Sequence, residues 1–369
     1  MEINMKRAST FLLLIILGVS LTSCFSSRKL GDKENSDIRN VIFMIGDGMG
    51  IPDVYAAMTV SDKPLNMERC NIIGLQKTFS ADSYITDSGA AGTALATGHK
   101  TKNGAIGMDP QGNQLKSILE IAEEHGLSTG LVSTSSITHA TPASFIAHQS
   151  SRGSYEDIAK DFLKTDIDVF IGGGYDHFAK RKDKLNLLDS LKLRGYEVDT
   201  SLVMVLNSTS LKLAGFTAPI HNPYRLKGRG DMLPASSGKA IEILSKNKKG
   251  FFLMIEGSQI DWAGHANVAD TLVDETLDFD KTVGVALDFA KNDGHTLVIV
   301  TADHETGGVT IVGGDRATHM VKLNFSTKDH TAVMVPVYAF GPGADKFIGI
   351  YDNTDIFQKI LSSFRFGQP

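Results

Sequence analysis

The chain has 369 residues, of which 42% are hydrophobic, and its formal net charge is -5 with a pI near 6.1. This hydrophobic content supports a large folded core and excludes a disordered chain, and the length suits one large α/β domain or two smaller ones. The mild acidity argues against a nucleic-acid-binding protein, which would usually carry a basic face.

The N-terminal residues have the pattern of an export signal. Lys6 and Arg7 precede the apolar run FLLLIILGVSL, which is too short to span a bilayer comfortably. The next four residues, LTSC, resemble the lipobox of bacterial lipoproteins, in which the cysteine, here Cys24, becomes the lipidated first residue of the mature protein. We therefore expect three parts: a lipoprotein signal peptide at residues 1–23, a flexible polar tether at residues 24–36 and a single folded domain at residues 37–369.

Cysteine usage fits an exported protein. The chain contains two cysteines, and if Cys24 carries a lipid then Cys70 has no disulfide partner. Stability must then come from the core and from any bound metal, and we interpret Cys70 as a small buried residue rather than a nucleophile. The alternative is a plain secretory signal with an incidental Cys24. We expect a membrane-anchored lipoprotein that faces the periplasm or the cell surface.

Short apolar segments rich in Val, Ile and Phe recur along the chain. They are NVIFMIGDG, STGLVSTSS, DVFIGGG, FFLMIEGS, HTLVIVTADHE and VPVYAFGPG. Stretches of helical character lie between them, such as LKSILEIAEEHG and DETLDFDKTVGVALDFAKNDG. This alternation predicts an α/β fold with a doubly wound, mostly parallel sheet and helices on both faces. Residues 176–235 are the least regular part, where RKDKLNLLDSLKLRG is interpreted as an amphipathic surface helix.

Residues 86–98, TDSGAAGTALATG, combine an Asp-Ser pair with a run of small side chains. The segment predicts a helix that begins at Ser88 and stops at Gly98, and whose N-terminal N–H groups would favour a phosphate oxygen. The small residues would let this helix press close to the sheet. On these residues alone, a tightly packed Ala/Gly core helix explains the segment equally well.

Carboxylates and histidines follow several predicted strands, at the edge where sheets of this kind bind ligands. Each alone has an ordinary explanation, such as a turn aspartate, but converging carboxylates repel one another unless a cation lies between them. Carboxylate and imidazole ligands without cysteine suit catalytic zinc, and the oxygens of Asp47, Thr141 and Glu256 suit magnesium. The candidates are Asp47 in GDG, Glu256, Asp261 and His265 in EGSQIDWAGH, Asp303 and His304 in TADHE, and His330 in KDHTA.

The chain resembles the alkaline phosphatases. The motifs of that family stand in the family's order between residues 46 and 331, as GDGMG, TDSGAAGTALATG, ATPA, SSR, EGSQIDWAGH, TADHETGG and DHT. The resemblance implies an alkaline phosphatase-like catalytic domain that hydrolyses phosphate monoesters through a phosphoserine, with two Zn²⁺ ions and one Mg²⁺ ion. It implies small phosphomonoesters and inorganic phosphate as ligands and a homodimer. We expect no nucleic-acid binding, and membrane contact only through a lipid anchor at Cys24.

Roles follow from position within these motifs. The resemblance implies that Ser88 is the nucleophile, that Arg152 grips the phosphate and that Asp87 orients the arginine. The implied ligand sets are Asp261, His265 and His330 for the first zinc, Asp47, Asp303 and His304 for the second, and Asp47, Thr141 and Glu256 for magnesium. We expect an in-line displacement in which charge stabilisation and positioning do most of the catalysis.

Two positions depart from some members of the family. His139 stands where some members place an aspartate near the third metal, and Trp262 stands where some place a lysine, although other members carry His and Trp there. The change favours weaker magnesium binding, or zinc in its place, because imidazole favours zinc. His139 is either a ligand or a hydrogen-bonding neighbour of this site, and we favour the neighbour.

Two other classes of function fit fewer residues. A phosphodiesterase, sulfatase or phosphate mutase would share the fold, but sulfatases commonly need a C/S-x-P-x-R motif, which is absent around Ser88. Diesterases often use threonine and lack the third metal site, so Arg152 with Glu256 favours monoesters. A non-enzymatic phosphate-binding lipoprotein would need the arginine and the helix terminus, but not the nucleophile or the metal ligands.

Overall fold

The computed structural model describes residues 38–364. The signal peptide expected at residues 1–23 and the tether expected at residues 24–36 therefore lie outside the described residues.

Fourteen strands are found in the described residues: β1 Asn40–Gly46, β2 Ile72–Lys77, β3 Ser128–Ser136, β4 Val169–Gly173, β5 Glu197–Asp199, β6 Leu213–Ala218, β7 Phe251–Gly257, β8 Thr296–Thr301, β9 Glu305–Thr306, β10 Val309–Asp315, β11 Met320–Phe325, β12 His330–Thr331, β13 Val335–Phe340 and β14 Gly349–Asp352.

The same residues form twelve α-helices: α1 Ile51–Val60, α2 Ser88–Thr97, α3 Ile118–Glu124, α4 Ala140–Ala143, α5 Tyr155–Asp161, α6 Tyr175–Ala179, α7 Leu187–Leu193, α8 Leu202–Asn207, α9 Met232–Leu244, α10 Gln259–Ala266, α11 Ala269–Asp293 and α12 Asn353–Phe364. Three short 3-10 turns accompany them, at Asn66–Arg69, Arg225–Lys227 and Ala344–Phe347.

Ten strands form one large sheet in the order β14-β2-β13-β8-β1-β7-β3-β4-β6-β5. The strand β13 runs antiparallel to both of its neighbours, and the other seven pairings are parallel. The architecture is the mostly parallel, helix-flanked α/β fold predicted from the alternation of strands and helices.

The two faces of this sheet bury two separate cores, and β1 lies between them. Val41, Phe43 and Ile45 pack with residues of α2, α3, α5 and α12, whereas Ile42 and Met44 pack with residues of α1, α9, α10 and α11. Because successive side chains of a strand point to opposite faces, a strand covered on both faces is apolar at every position. This explains the unbroken apolar run NVIFMIG, all of which is buried.

The sequence interpretation was incomplete at the sheet edges and in the region 176–235. The six segments read as strands contain β1, β3, β4, β7, β8 and β13, but β2, β5, β6 and β14 were not recognised. Within RKDKLNLLDSLKLRG, only Leu187–Leu193 is helical, because Arg181 closes a turn by donating to the carboxylate of Asp183 and to the carbonyl oxygen of His177.

Two small antiparallel pairs lie outside the large sheet, β9 with β12 and β10 with β11. The first pair sets His330 opposite Thr306, so the chain returns to the carboxyl end of β8 after the β10–β11 hairpin. None of the helices within residues 38–364 has the length and apolar character needed to cross a membrane.

Cys70 follows the first 3-10 turn, is buried and has no disulfide partner within residues 38–364. Burial raises the pKa of its thiol to about 12. A thiol with so high a pKa stays protonated and is a poor nucleophile, in agreement with its interpretation as a small core residue.

Candidate active site

The predicted ligands meet at the carboxyl edge of the large sheet. Asp47 directly follows β1, Glu256 lies at the end of β7, and Asp303 and His304 come just after β8. Since β8, β1 and β7 are adjacent and parallel, their carboxyl ends lie side by side. All four side chains are fully buried.

Ser88 is the first residue of α2, as the sequence predicted. Asp87 caps the helix, and its Oδ1 accepts a hydrogen bond from the backbone N–H of Ala90 at 2.9 Å. The helix stops at Gly98, whose φ of 74° is in the left-handed region. The buried Ser88 side chain therefore belongs to the first turn of the helix, where backbone N–H groups have no partner within the helix.

The small residues of α2 allow a close approach, but not the one that the sequence suggested. A Cβ atom on Gly92 would lie 2.8 Å from Ser144 Oγ, and one on Gly89 would lie 3.1 Å from the carbonyl oxygen of Ala105. The closest neighbours are thus the residue after α4 and a loop, not the strands of the sheet. The short helix α4 contacts α2 and also β3 and β7, so it connects α2 to the sheet.

Asp261, His265 and His330 form the first group of possible metal ligands. The helix α10 sets Asp261 and His265 four residues apart on one face, and β12 brings His330 to them. The two imidazole Nε2 atoms lie 3.2 Å apart, and 3.3 Å (His265) and 3.4 Å (His330) from Asp261 Oδ1. Their Nδ1 atoms face the carbonyl oxygens of Lys328 and Thr86, which can only accept. In the neutral rings both Nε2 lone pairs therefore point to the same place, which suits a cation.

Asp47, Asp303 and His304 form the second group. His304 Nε2 lies 3.4 Å from Asp47 Oδ1 and 3.3 Å from Asp303 Oδ2. Asp303 Oδ1 accepts hydrogen bonds from the backbone N–H groups of Gly48 and His304, whereas its Oδ2 and both oxygens of Asp47 accept none. Buried carboxylate oxygens without donors are costly unless a cation binds them, so this donor set fits a divalent metal ion.

Ser88 Oγ lies 3.3 Å from His304 Nε2. The sequence alone left open whether a histidine lies near this serine. His304 Nδ1 faces the Thr306 hydroxyl at 3.2 Å, not the carboxylate that orients the histidine of a Ser-His-Asp triad. Burial also lowers the pKa of His304 well below its usual range. Both features make His304 a poor base for Ser88 and fit a neutral metal ligand instead.

Asp47, His139 and Glu256 form the third group. Glu256 Oε2 accepts a hydrogen bond from Ser133 Oγ at 2.5 Å, whereas its Oε1 accepts none. Burial raises the pKa of Glu256, and nearby hydroxyls, Thr141 among them, oppose that rise. Thr141 Oγ1 is buried within this group and makes no hydrogen bond of normal geometry. Oxygen donors without partners fit a hard cation here.

His139 lies within reach of two roles. One of its ring nitrogens is within 4.8 Å of oxygens of Asp47 and Glu256, as a ligand would be. Its Nε2 also lies 3.4 Å from Arg152 Nη2, and burial lowers the pKa of the ring to about 3, which keeps it neutral. A neutral Nε2 can accept a hydrogen bond from the guanidinium, as the neighbour role requires.

The three groups together concentrate negative charge in a buried place. Burial, followed by repulsion from Asp303 and Asp261, raises the pKa of Asp47 well above its usual range. Burial and Asp261 likewise raise the pKa of Asp303 to about 7. Bound cations would remove both the repulsion and the need for protonation.

Arg152 lies beside the first turn of α2. Its Nη1 donates to Asp87 Oδ2 at 2.9 Å, and its backbone N–H donates to the Gly104 carbonyl oxygen at 2.7 Å. Burial lowers the pKa of Arg152, but nearby acidic groups, Asp87 first and then Asp47, raise it above its usual range. Asp87 thus holds one edge of the guanidinium, and the remaining N–H groups can bind an anion next to Ser88.

Several supporting residues were missed from the sequence. Thr306 Oγ1 donates to Asp261 Oδ1 at 2.5 Å and also faces His304, so it connects the first two groups. Ser133 and Ser135 both contact Glu256 Oε2. The run STSS at the end of a predicted strand was the available signal, because hydroxyls at a strand end are suited to orient a carboxylate.

Comparison with known proteins gives a consistent result. The family model described as alkaline phosphatase matches residues 38–324. Alkaline phosphatase 4 of Bacillus subtilis is 37% identical, and the match covers 92% of this chain and 91% of that protein. Alkaline phosphatase of Escherichia coli is 33% identical, with 86% of this chain and 84% of that protein covered.

The fold is also similar to solved structures. The alkaline phosphatase of the Antarctic bacterium TAB5 is 43% identical and superposes with a TM-score of 0.86 over 90% of this chain and 99% of that chain. A mutant of that protein in which a histidine is replaced by aspartate has Mg bound in what is called its M3 site.

Proposed function

This chain belongs to the alkaline phosphatase family, and we propose which of its residues carry out the family's reaction. That reaction is the metal-dependent hydrolysis of phosphate monoesters through a phosphoserine. The observation that supports the assignment most is the position of Ser88 Oγ, at the N-terminus of α2 and 3.3 Å from His304 Nε2.

Ser88 is the nucleophile of this proposal. Its oxygen attacks phosphorus in line with the departing alcohol. The first-turn N–H groups of α2 donate hydrogen bonds to the phosphoryl oxygens and so stabilise their negative charge. Zn²⁺ ions held by the first two ligand groups would supply Lewis-acid chemistry that lowers the pKa of the serine hydroxyl and neutralises charge on the entering and leaving oxygens. Asp47, Asp303 and His304 would hold the ion next to the serine.

Arg152 and Asp87 position the phosphate. The guanidinium would grip two non-bridging oxygens, while Asp87 fixes its orientation through the 2.9 Å hydrogen bond to Nη1. Because Asp87 also caps α2, the arginine and the nucleophile share one anchor.

For the metals we propose two Zn²⁺ ions, at Asp261, His265 and His330 and at Asp47, Asp303 and His304, and a third ion near Asp47, Thr141 and Glu256. The third ion is Mg²⁺ or Zn²⁺, depending on whether His139 is a hydrogen-bonding neighbour of the site or a metal ligand. The TAB5 mutant with Mg in its M3 site replaces a histidine by aspartate, and this supports the view that a histidine near such a site weakens its preference for magnesium.

We also propose the setting of the enzyme. Alkaline phosphatase homologues are generally exported, and the N-terminal sequence supports lipid attachment at Cys24 of a chain whose tether spans residues 24–36 and whose catalytic domain spans residues 37–369. Its ligands are small phosphomonoesters and inorganic phosphate. A homodimer is proposed from the family resemblance alone.

The experiment that tests the nucleophile is covalent trapping. Wild-type protein incubated with ³²P-labelled substrate and quenched in acid should retain label on Ser88, and Ser88→Ala should retain none. The control Ser362→Ala changes an exposed serine of α12 and should behave as wild type. Label retained on the Ser88→Ala protein would refute the assignment. Comparing a nitrophenyl phosphate with its diester separates the proposed activity from that of a diesterase.

A further inference from the structure

The chain enters the described structure at the edge of the large sheet opposite the active site. Arg39 comes directly before β1, whereas Asp47 directly follows it. The strands β7 and β8 begin level with β1, because Asn40 pairs with Phe251 on one side and with Thr296 on the other. The segments that lead into β7 and β8 therefore emerge next to Arg39.

These segments carry unpaired positive charge. Lys246, Lys248 and Lys249 are exposed just before β7, and Lys291 is exposed in the last turn of α11, just before β8. None of these four lysines makes an ion pair within 4.0 Å among the described residues. With Arg39 they form what we call the basic edge: Arg39, Lys246, Lys248, Lys249 and Lys291.

The acidic groups around the basic edge are already engaged. Asp293 accepts hydrogen bonds from Thr296 Oγ1 at 2.6 Å and from Asn40 Nδ2 at 3.1 Å. Glu124, in the last turn of α3, pairs with Lys116 at 2.5 Å. Asp293 keeps its negative charge, but one carboxylate against Arg39 and four lysines leaves the basic edge with an excess of positive charge.

A small polar cavity opens within the basic edge. Its volume is about 120 Å³, and its lining includes the cationic residues Arg39 and Lys248 together with one carboxylate, Asp293. Arg39 Nε is buried and has no hydrogen-bond partner among residues 38–364. Cationic walls, an unused donor and a polar lining suit a phosphate group rather than an apolar ligand.

We propose that the basic edge binds an anionic phospholipid surface, so that the active site faces away from the bilayer. The physiological setting rests on the proposed lipid attachment at Cys24. Ile38 lies fourteen positions after Cys24, and a chain of that length reaches at most about 50 Å. Such a tether keeps the enzyme near lipid without orienting it. The lysines supply the orientation, because attraction to an anionic surface acts over about a Debye length, roughly 8 Å.

Vesicle sedimentation tests the proposal without the lipid anchor. The protein is the zinc-loaded chain from residue 24 with Cys24→Ser, and the vesicles contain either phosphatidylglycerol with phosphatidylcholine or phosphatidylcholine alone. We expect binding to the anionic vesicles only, and its loss at high salt. The variant K246Q/K248Q/K249Q/K291Q should lose at least about tenfold in partitioning, since each lysine near the surface contributes separately.

A matched variant controls for net charge. K182Q/K184Q/K227Q/K322Q removes the same charge from exposed lysines that follow the carboxyl ends of β4, β6 and β8. It should bind anionic vesicles as the parent does, and all three proteins should hydrolyse a nitrophenyl phosphate equally well.

Three results would overturn the proposal: no binding of the parent protein to anionic vesicles, an equal loss of binding in both variants, or binding of the parent to vesicles made of phosphatidylcholine only. Displacement by inorganic phosphate at constant ionic strength would identify a site for free phosphate instead. Lipid attachment is measured separately, by mass spectrometry of the full chain from a membrane fraction. If no lipid were found on Cys24, the anchor would be disproved but the vesicle result would still stand. A loss of nitrophenyl phosphate hydrolysis would concern the catalytic site alone.

Discussion

Asp47 is the residue at which two of the ligand groups meet. Both of its carboxylate oxygens are buried without a hydrogen-bond donor, and it belongs to the group with Asp303 and to the group with Glu256. A lone carboxylate in that position would be forced to take up a proton, as the raised pKa indicates. Its place between two groups of possible ligands would allow a single aspartate to bridge two cations.

Substitution of Arg152 should weaken the binding of phosphate without abolishing turnover. Arg152→Ala removes a charge-assisted bidentate contact, which corresponds to an increase of about 10- to 100-fold in the inhibition constant of inorganic phosphate. Arg152→Lys should recover only part of the loss, because an ammonium cannot make the paired contact. The measurement is competitive inhibition of nitrophenyl phosphate hydrolysis.

The control for Arg152 is Arg316→Ala, an exposed arginine in the β10–β11 turn. It should leave the inhibition constant unchanged. Equal inhibition of the Arg152→Ala enzyme and the wild type would show that the guanidinium does not contact the anion.

Single residues of the site were predictable where a motif carries them, and not where folding brings them in. Ser88 and Arg152 could be proposed in advance because the family motifs contain them, and their roles stay predictions. Thr306 was missed because its two contacts, to Asp261 and His304, form only when α10 and the end of β8 come together. The sequence shows a threonine after HE and gives no sign that it joins two ligand groups.

At the level of elements, α2 has no room for a larger residue at Gly92. A Cβ atom there would lie 2.8 Å from Ser144 Oγ and 3.0 Å from Ser144 Cβ. We expect Gly92→Ala to destabilise the protein by about 1–3 kcal/mol through overpacking, and to lower kcat because the displaced helix carries Ser88. Urea denaturation and nitrophenyl phosphate kinetics measure the two effects.

Gly238 in α9 offers the same substitution with free space. An added Cβ atom would find its nearest neighbour, Val285 Cγ1, at 3.8 Å. Gly238→Ala should therefore stabilise the protein by about 0.5–1 kcal/mol, the usual advantage of alanine over glycine in a helix. If both alanines had the same effect, crowding at Ser144 would not be the reason for the glycine in α2.

Which strands the sequence revealed depended on their burial. The recognised strands β1, β7 and β8 are buried at every position and read as continuous apolar runs. The missed strands β2, β5 and β14 contain exposed positions, and β6 is interrupted by Gly215. The direction of β13 was not predictable either, because a strand buried on both faces has the same pattern whether it is parallel or antiparallel.

For the whole molecule, bound cations should contribute strongly to stability. Each ion that binds only the folded state adds about 2.7 kcal/mol when its free concentration is 100 times its dissociation constant. Treatment with a chelator should therefore lower the apparent Tm in calorimetry and abolish turnover, and zinc should restore both. Magnesium alone should restore less, because the first two groups contain imidazole nitrogens. An unchanged Tm after verified removal of metal would contradict this.

The metal-free protein should also show a distinct dependence on pH. Asp303 has a pKa near 7 in the folded chain, against an ordinary value of 3.8. Between these values the folded state binds more protons than the unfolded state, so the free energy of unfolding falls as the pH rises from about 4 to 7. Zinc-loaded protein should lack this decline, and calorimetry across that range compares the two forms.

The distance between Asp47 and His330 along the polypeptide, 283 positions, has a consequence for biogenesis. During synthesis the third group of donors is complete first, the second follows at His304, and the first group is complete only when His330 has been made. The first group can therefore bind a metal ion only after nearly the entire polypeptide has been made. Cells starved of that metal would accumulate full-length but inactive protein rather than truncated active protein, and later addition of the metal alone would activate it.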